Sequence, residues 1–415
     1  MIGRVIQTPK QGSQPAAFVL RNGRLIDGTG RVWERVDIHV EGERIRAVAP
    51  SLGPDTPGES VDLGGKTIIP GLIDCHTHVC GDRLDEPPGV TTTQLAAEYA
   101  IRGARWLEQA LPKGVTAIRD VGGKYHVDLA LRHMVEQGQV AGPRMRVAGR
   151  LICMTGGHGW HVQDGIEADG PDAVRKAARL QLKAGVDLVK VMATGGVMTA
   201  GTQPGAAQLT REEMAAAVEE AHNAGRTVAA HAEGREGIRN AILAGVDSIE
   251  HGYELDEEII ELMLERGTFL CPTLTCDIRI AEYGTELGIP TDAVEKMRRW
   301  LDSLLDSFQR ARKAGVRIAA GNDAFADWVP IADMAGEVAA MTQYGMDAHS
   351  ALLAATANAA QLLQLPDEGV LGPGKRANLV VLDGDPLADI GALGHVVAVM
   401  KDGAWVGQSA WAVRA

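Results

Sequence analysis

Between Ala17 and Val61 apolar and polar positions alternate in short runs, AFVLRNGRLIDGTG and then VDIHVEGERIRAVAP, interrupted by Asn-Gly, Asp-Gly and Glu-Gly pairs. Period-two alternation broken by turn-forming residues predicts β-hairpins. The C-terminal stretch repeats the pattern in ANLVVLDGDP and VVAVMKDGAWV. Neither end can bury a good core alone, so the two are expected to join in one small antiparallel unit. Between them the rhythm changes. Apolar strands, TIIPGLIDCHTH, KGVTAIRD, PRMRVAGRL, VDLVKVM, TVAAHAE, VDSIEHG, FLCPTLT and VRIAAGND, alternate with Ala-rich amphipathic helices. One such helix, LTREEMAAAVEEAHNAG, opens on Thr210 with Glu213 three residues later and ends at Gly225, a capping-box start and a glycine stop.

Non-alternating apolar strands separated by helices require a parallel sheet covered on both faces. Eight such units predict an α/β fold, a (β/α)8 TIM barrel over residues 69–365, with its chemistry at the C-terminal ends of the strands. Residues 1–68 and 366–415 are then the two parts of a small β-sandwich domain.

Composition narrows the function. Aromatics are 4% of the 415 residues and Gly numbers 50, so the core must be built from Ala, Val, Leu and Ile. The net charge of −13 argues against a nucleic-acid partner, which demands a basic face. No apolar run reaches the ~18–20 residues of a bilayer span. The opening MIGRVIQTPKQGSQPA lacks a signal-peptide core. The five cysteines are sparse and include no CxxC, which disfavours disulfides and thiolate zinc sites. Cys75, beside the first candidate motif, reads as a small buried apolar residue. A cytoplasmic protein with a small-molecule substrate and no membrane partner is expected, and the Ala-rich outer helices are compatible with a homo-oligomer.

The candidate chemistry falls where strands end. In Asp74-Cys75-His76-Thr77-His78, residues i and i+2 share a face, so His76 and His78 can both aim into the mouth and hold two corners of a metal ion. His231 ends TVAAH, His251 ends VDSIEH and Asp323 ends VRIAAGND. Singly, each is as readily a core histidine or a helix cap; together, at equivalent places in separate units, they form a pattern. Lys190 lies between Val189 and Val191, where burial would oppose its charge. A neutral amine there can add carbon dioxide, and the carbamate would be an anionic ligand able to bridge two metals ~3.5–4 Å apart.

With VDLGGKTIIPGLIDCHTH, KGVTAIRDVGG, LICMTGGHG, the lysine strand followed by TGG, and GVLGPGKRANLVVLDGDP, the chain resembles the amidohydrolase superfamily. Within it, the chain looks like the dinuclear, carboxylated-lysine subgroup and the prolidase and imidazolonepropionase-like branch of metal-dependent dipeptidases and carboxypeptidases. The resemblance implies two divalent ions, zinc by preference. His76 and His78 with Asp323 would hold one and His231 with His251 the other, carboxylated Lys190 and a hydroxide bridging them. Asp323 would act as general base and then acid, and His158, in Gly-Gly-His-Gly, would face the substrate. Tyr253, two past His251, would reach the same mouth. The implied reaction is attack of the bridging hydroxide on an amide, in a dipeptide or N-acyl amino acid with a free carboxylate. A cyclic amide, lactone, carbamate or amide-linked xenobiotic is the alternative substrate, and a metal-free scaffold is less favoured because every ligand position is filled.

Two departures stand out. Glu233 occupies a position where many relatives carry a second His, on the same face as His231, where it would either favour a cationic substrate group or simply point to solvent. Asn322 replaces the common Thr or Ser before Asp323. Gly234, third after His231, disfavours deamination, whose practitioners usually carry Glu there. The stretch from Asp277 to Lys313 is a helical insertion expected to wall the mouth, with Arg279 a candidate clamp for a substrate carboxylate.

Overall fold

The computed structural model describes residues 17–81, 90–161, 164–326, 329 and 331–407. Strand β1 (Ala17–Ile26) pairs antiparallel with β2 (Val32–Glu41), and β2 pairs antiparallel with β3 (Arg44–Ala49). Strands β4 (Glu59–Asp62) and β5 (Thr67–Pro70) lie parallel to β1, so the sheet is mixed rather than purely antiparallel. The Asn22-Gly23 pair does not make a hairpin. It is a bulge inside β1, with Asn22 in the left-handed region (φ 57) and the register shifting between Leu20 and Gly23. A side chain at position 23 would run into Ile68 and Leu63, which explains why the bulge carries glycine.

The TIIPGLIDCHTH run is likewise two strands, β5 and β6 (Leu72–Thr77), divided at Gly71. A Cβ on Gly71 would collide with the side chain of Thr116. This close approach lets the chain leave one sheet and enter the next within a single residue.

Helix α1 (Thr92–Ala110) precedes β7 (Val115–Asp120), and α2 (Val127–Glu136) leads to β8 (Arg144–Val147), giving a parallel sheet β6-β7-β8. The same chain run continues into β9 (Ile152–Cys153), which pairs parallel with β10 (Ile166–Glu167). After α3 (Pro171–Ala184) come β11 (Leu188–Met192), α4 (Arg211–Asn223), β12 (Thr227–Ala232), α5 (Arg235–Ala244), β13 (Ser248–His251), α6 (Glu257–Arg266) and β14 (Phe269–Cys271). These strands form a second parallel sheet, β10-β9-β11-β12-β13-β14. The α4 start is as expected: Thr210 accepts from the Glu213 N–H while the Glu213 side chain accepts from the Thr210 N–H.

Residues 317–324 show no continuous ladder, yet they join the two sheets. Leu270 bonds to Arg317 O and Ala319 to Leu270 O on one side, while Cys75 bonds to Ala320 O and Asp323 to His76 O on the other. On the opposite side the Asp187 N–H donates to Val147 O, linking β8 to the segment before β11. Parallel pairing therefore returns to β6, where it began.

Helices α7 (Leu274–Tyr283) and α8 (Thr291–Ala314) make up the insertion after β14. Helices α9 (Met334–Gln343), α10 (Ala348–Ala354) and α11 (Ala357–Leu362) follow. Strand β15 (Leu379–Leu382) then pairs antiparallel with β5, and β16 (Val396–Lys401) and β17 (Ala404–Trp405) complete the end sheet. In β15, Leu379 and Val381 enter the end sheet's own hydrophobic cluster while Val380 and Leu382 enter the main one, which is why LVVL reads as an unbroken apolar run. No described helix is long and apolar enough to cross a membrane.

The Gly71 crossing gives a first prediction. Gly71→Ala should destabilise the protein by about 1–3 kcal/mol through overpacking against Thr116, read from urea unfolding. In a Thr116→Ala background the cost should shrink; equal costs in both backgrounds would show that this contact does not set the crossing.

Candidate metal centre

The strands deliver their terminal side chains to one pocket of about 570 Å³ counted to its mouth. Its lining includes His76 and His78 from the end of β6, Lys190 from β11, His231 from β12, His251 from β13 and Asp323 from the joining segment. His158, Glu233 and Tyr253 line it too. Of the candidate ligand, catalytic and substrate-binding residues named from the sequence, only Arg279 stays outside the lining. Helix α7 turns Cys276, Asp277 and Ile280, spaced at i, i+1 and i+4, toward the pocket, and that phase places Arg279 elsewhere, half-buried. The insertion does form a wall, since α7 lines the pocket and Trp300 of α8 lies 6.3 Å from the Tyr253 ring.

Each imidazole is oriented by a partner on its far nitrogen. His76 Nδ1 is 2.8 Å from Glu250 Oε2, and His78 Nδ1 is 3.0 Å from Gly122 O. His251 Nδ1 is 2.8 Å from Thr273 Oγ1, and His231 turns its Nε2 to Gly195 O at 3.0 Å. A carboxylate or carbonyl partner can only accept, so the tautomers of His76, His78 and His231 follow, leaving lone pairs on Nε2, Nε2 and Nδ1. Burial favours the neutral ring in every case: it lowers His78 to about 4, lowers His76, and takes His231 and His251 well below the usual range. His158, its Nδ1 2.8 Å from Thr199 Oγ1, is lowered by burial to about 3.

Asp323 behaves in the opposite sense. Burial opposes its charge, but His76, His78 and His251 hold its carboxyl below the ordinary value. Its Oδ1 stands 3.4 Å from both His76 Nε2 and His78 Nε2 and has no hydrogen-bond partner among the described residues. Ligand atoms of His76, His251 and Asp323 all fall within 4.8 Å of one another. Neutral imidazoles and an orphaned carboxylate oxygen, separated by slightly more than a hydrogen bond, fit a divalent cation better than a shared proton. Lys190, 2% exposed, is lowered by burial to about 8, with Glu250 opposing the shift.

Beneath the pocket lies a buried ion pair that the sequence reading missed. Arg119 is 1% exposed and donates from Nη2 to both oxygens of Glu250 at 2.8 Å, from Nη1 to Ser248 Oγ at 2.9 Å, and from Nε to Cys75 O. Although burial opposes its charge, Arg119 above all holds Glu250 well below the usual carboxylate range. An ionised Glu250 thus fixes His76. The available signal was a charged residue inside an otherwise apolar strand, in VTAIRD and in SIEH. Likewise Glu337 accepts from the N–H groups of Leu274 and Thr275, anchoring the start of α7 beside Thr273 and Asp277; burial raises its carboxyl to about 7.

Removing one partner of the central pair should be costly. Glu250→Gln should lose about 3–5 kcal/mol in equilibrium unfolding because Arg119 is left buried without a counter-charge. Replacing both, Arg119→Met with Glu250→Leu, should cost less than the single change. A single-variant loss below about 1 kcal/mol would remove this pair as the foundation of the site.

Comparison with known proteins agrees with this geometry. Ochratoxinase of Aspergillus niger is 36% identical over 353 residues, covering 78% of this chain and 71% of its own. Among solved structures, a Xaa-Pro dipeptidase with bound methionine in its active site matches with a TM-score of 0.86 at 32% identity, over 94% of this chain and 100% of its own. A prolidase complexed with N-methylphosphonate-L-proline matches with a TM-score of 0.87 at 32% identity, with the same coverage of both chains. The amidohydrolase family model matches residues 67–406, and the chain belongs to the amidohydrolase family.

Proposed function

We propose that this protein is a metal-dependent amide hydrolase whose substrate is a dipeptide or N-acyl amino acid. The observation that carries the reading is the convergence of His76, His78, Lys190, His231, His251 and Asp323 on one pocket at the strand ends. The names of its relatives, ochratoxinase and Xaa-Pro dipeptidase, support hydrolysis of a small amide. In this reading the circuit of parallel strands is a (β/α)8 barrel of residues 69–365, and residues 1–68 with 366–415 form the second domain.

His76 and His78 with Asp323 would hold one divalent ion, and His231 with His251 a second. Lys190, carboxylated, would stand between them. Bound there, two such ions, zinc in this reading, supply an activated water and polarise the scissile carbonyl. The chain's own residues do the rest. Asp323, with its unpartnered Oδ1, takes the proton of the attacking water and returns it to the leaving nitrogen. His158, neutral and fixed by Thr199, offers its Nε2 edge to the substrate. Tyr253 closes the pocket on the side of α8 through its approach to Trp300.

Lys190→Ala should lose both bound metal and turnover, and short carboxylic acids should restore part of each, measured by metal analysis beside an amide-hydrolysis assay. Full metal content in this variant would refute the bridging role. The unmodified amine titrates near 8, so at fixed carbon dioxide its carbamate should be scarce below that pH, where the amine is protonated, and grow above it, where the amine is neutral. Carbon-13 NMR of metal-free protein equilibrated with labelled carbon dioxide reads this directly; a signal absent at pH 9, or insensitive to Lys190→Ala, would overturn the assignment.

A further inference from the structure

The lining is uneven in charge. Lys190 is its one Lys or Arg among the described residues, against three carboxyl groups, Glu233, Asp277 and Asp323. Asp323 is accounted for at the metal end. Glu233 and Asp277 are not: both are buried, 2% and 3% exposed, beside Tyr253, whose hydroxyl donates to Met297 Sδ at 3.6 Å, while Asp277 Oδ2 accepts from Thr273 Oγ1 at 3.5 Å. Glu233 Oε2 has no partner among the described residues although it lines the pocket. Lys296, whose charge acts on Glu233, donates to Val197 O and Thr199 O and lies 3.6 Å from Asp292.

Burying acceptors without donors is unfavourable unless a bound group completes them. What Glu233 Oε2 lacks is a donor, and an ammonium or guanidinium N–H supplies one together with positive charge.

We propose that Glu233 and Asp277, flanking the Tyr253 hydroxyl, form a subsite for a cationic group of the amide substrate, an ammonium or guanidinium. The proposal rests on the amide-hydrolase reading and narrows its substrate class. The cation has two available sources, a basic side chain or the free α-ammonium of a dipeptide, which share this chemistry.

The test uses metal-loaded full-length enzyme and matched substrates. Dipeptides ending in lysine or norleucine isolate the side-chain charge, and N-acetylation of the same peptides removes the α-ammonium. At least one of these charges should raise kcat/KM roughly 10- to 100-fold over its neutral partner, the size of a charge-assisted hydrogen bond. That ratio should fall toward one in Glu233→Gln and decline in Asp277→Asn. Calorimetric titration of the wild-type protein with lysine, a simple alkylammonium and N-acetylnorleucine, which carries no cation, gives a readout independent of turnover and of whether the variants fold: the cations should bind and N-acetylnorleucine should bind more weakly. Hydrolysis of neutral or acidic amides as efficient as that of cationic ones, or binding of N-acetylnorleucine as tight as that of lysine, would overturn the subsite while leaving the hydrolase standing. Failure to hydrolyse any amide in the presence of added metal, with cations still bound, would instead sink the hydrolase reading.

Discussion

The structure depends on the removal of ionisable groups from water. Within one pocket the protein encloses imidazoles, a lysine amine and carboxyl groups, each of which would be charged or hydrated outside. Burial makes the imidazoles neutral, and neutrality leaves each with a lone pair to point inward. The same burial would scatter their orientations if nothing held the far nitrogens. Glu250, Gly122 O, Thr273 and Gly195 O do so. The Arg119–Glu250 pair is the deepest of these supports, since it places a permanent negative charge behind a neutral ring without leaving either ion unpaired.

Backbone geometry carries a share of the same work. His251, Thr273 and Asp323 all adopt left-handed φ, at 72°, 51° and 51°. Such conformations cost a non-glycine residue about 1–3 kcal/mol and persist only where the surroundings hold them. Here the surroundings are visible: Asp323 N–H is bonded to His76 O, and Asp74 accepts from the N–H groups of both His76 and Asn322. The turn that ends the joining segment is therefore bound into β6, the strand that supplies His76.

Much of the site was legible because strand geometry is simple. His76 and His78 share a face by the two-residue period, and residues at strand ends fall together once the strands run parallel. The supports were not legible, because a charged residue in an apolar strand, such as Arg119 or Glu250, gains its meaning only from a partner far along the chain. Arg279 shows the limit of composition: its type suits an anion, but helical phase gives the pocket to Cys276, Asp277 and Ile280 instead. Asn22-Gly23 shows the limit of local signatures, since the left-handed backbone that makes a hairpin turn also makes a bulge, and only the register of β2 decides. The last strand of the circuit reads plainly as VRIAAGND yet forms only scattered bridges, and it ends on Asp323 in the left-handed region.

One consequence concerns how such a chain is made. Strand β5 lies between β1 and β15, so the middle of the end sheet is shared by segments more than 300 residues apart. At a synthesis rate of about 5–20 residues per second, the N-terminal strands emerge from the ribosome tens of seconds before the strand that completes them. During that interval β5 offers an open, apolar edge, the kind of surface that invites wrong pairing. Nascent chains of this architecture are thus expected to lean on chaperones early, and to be released from them only when the final strands arrive.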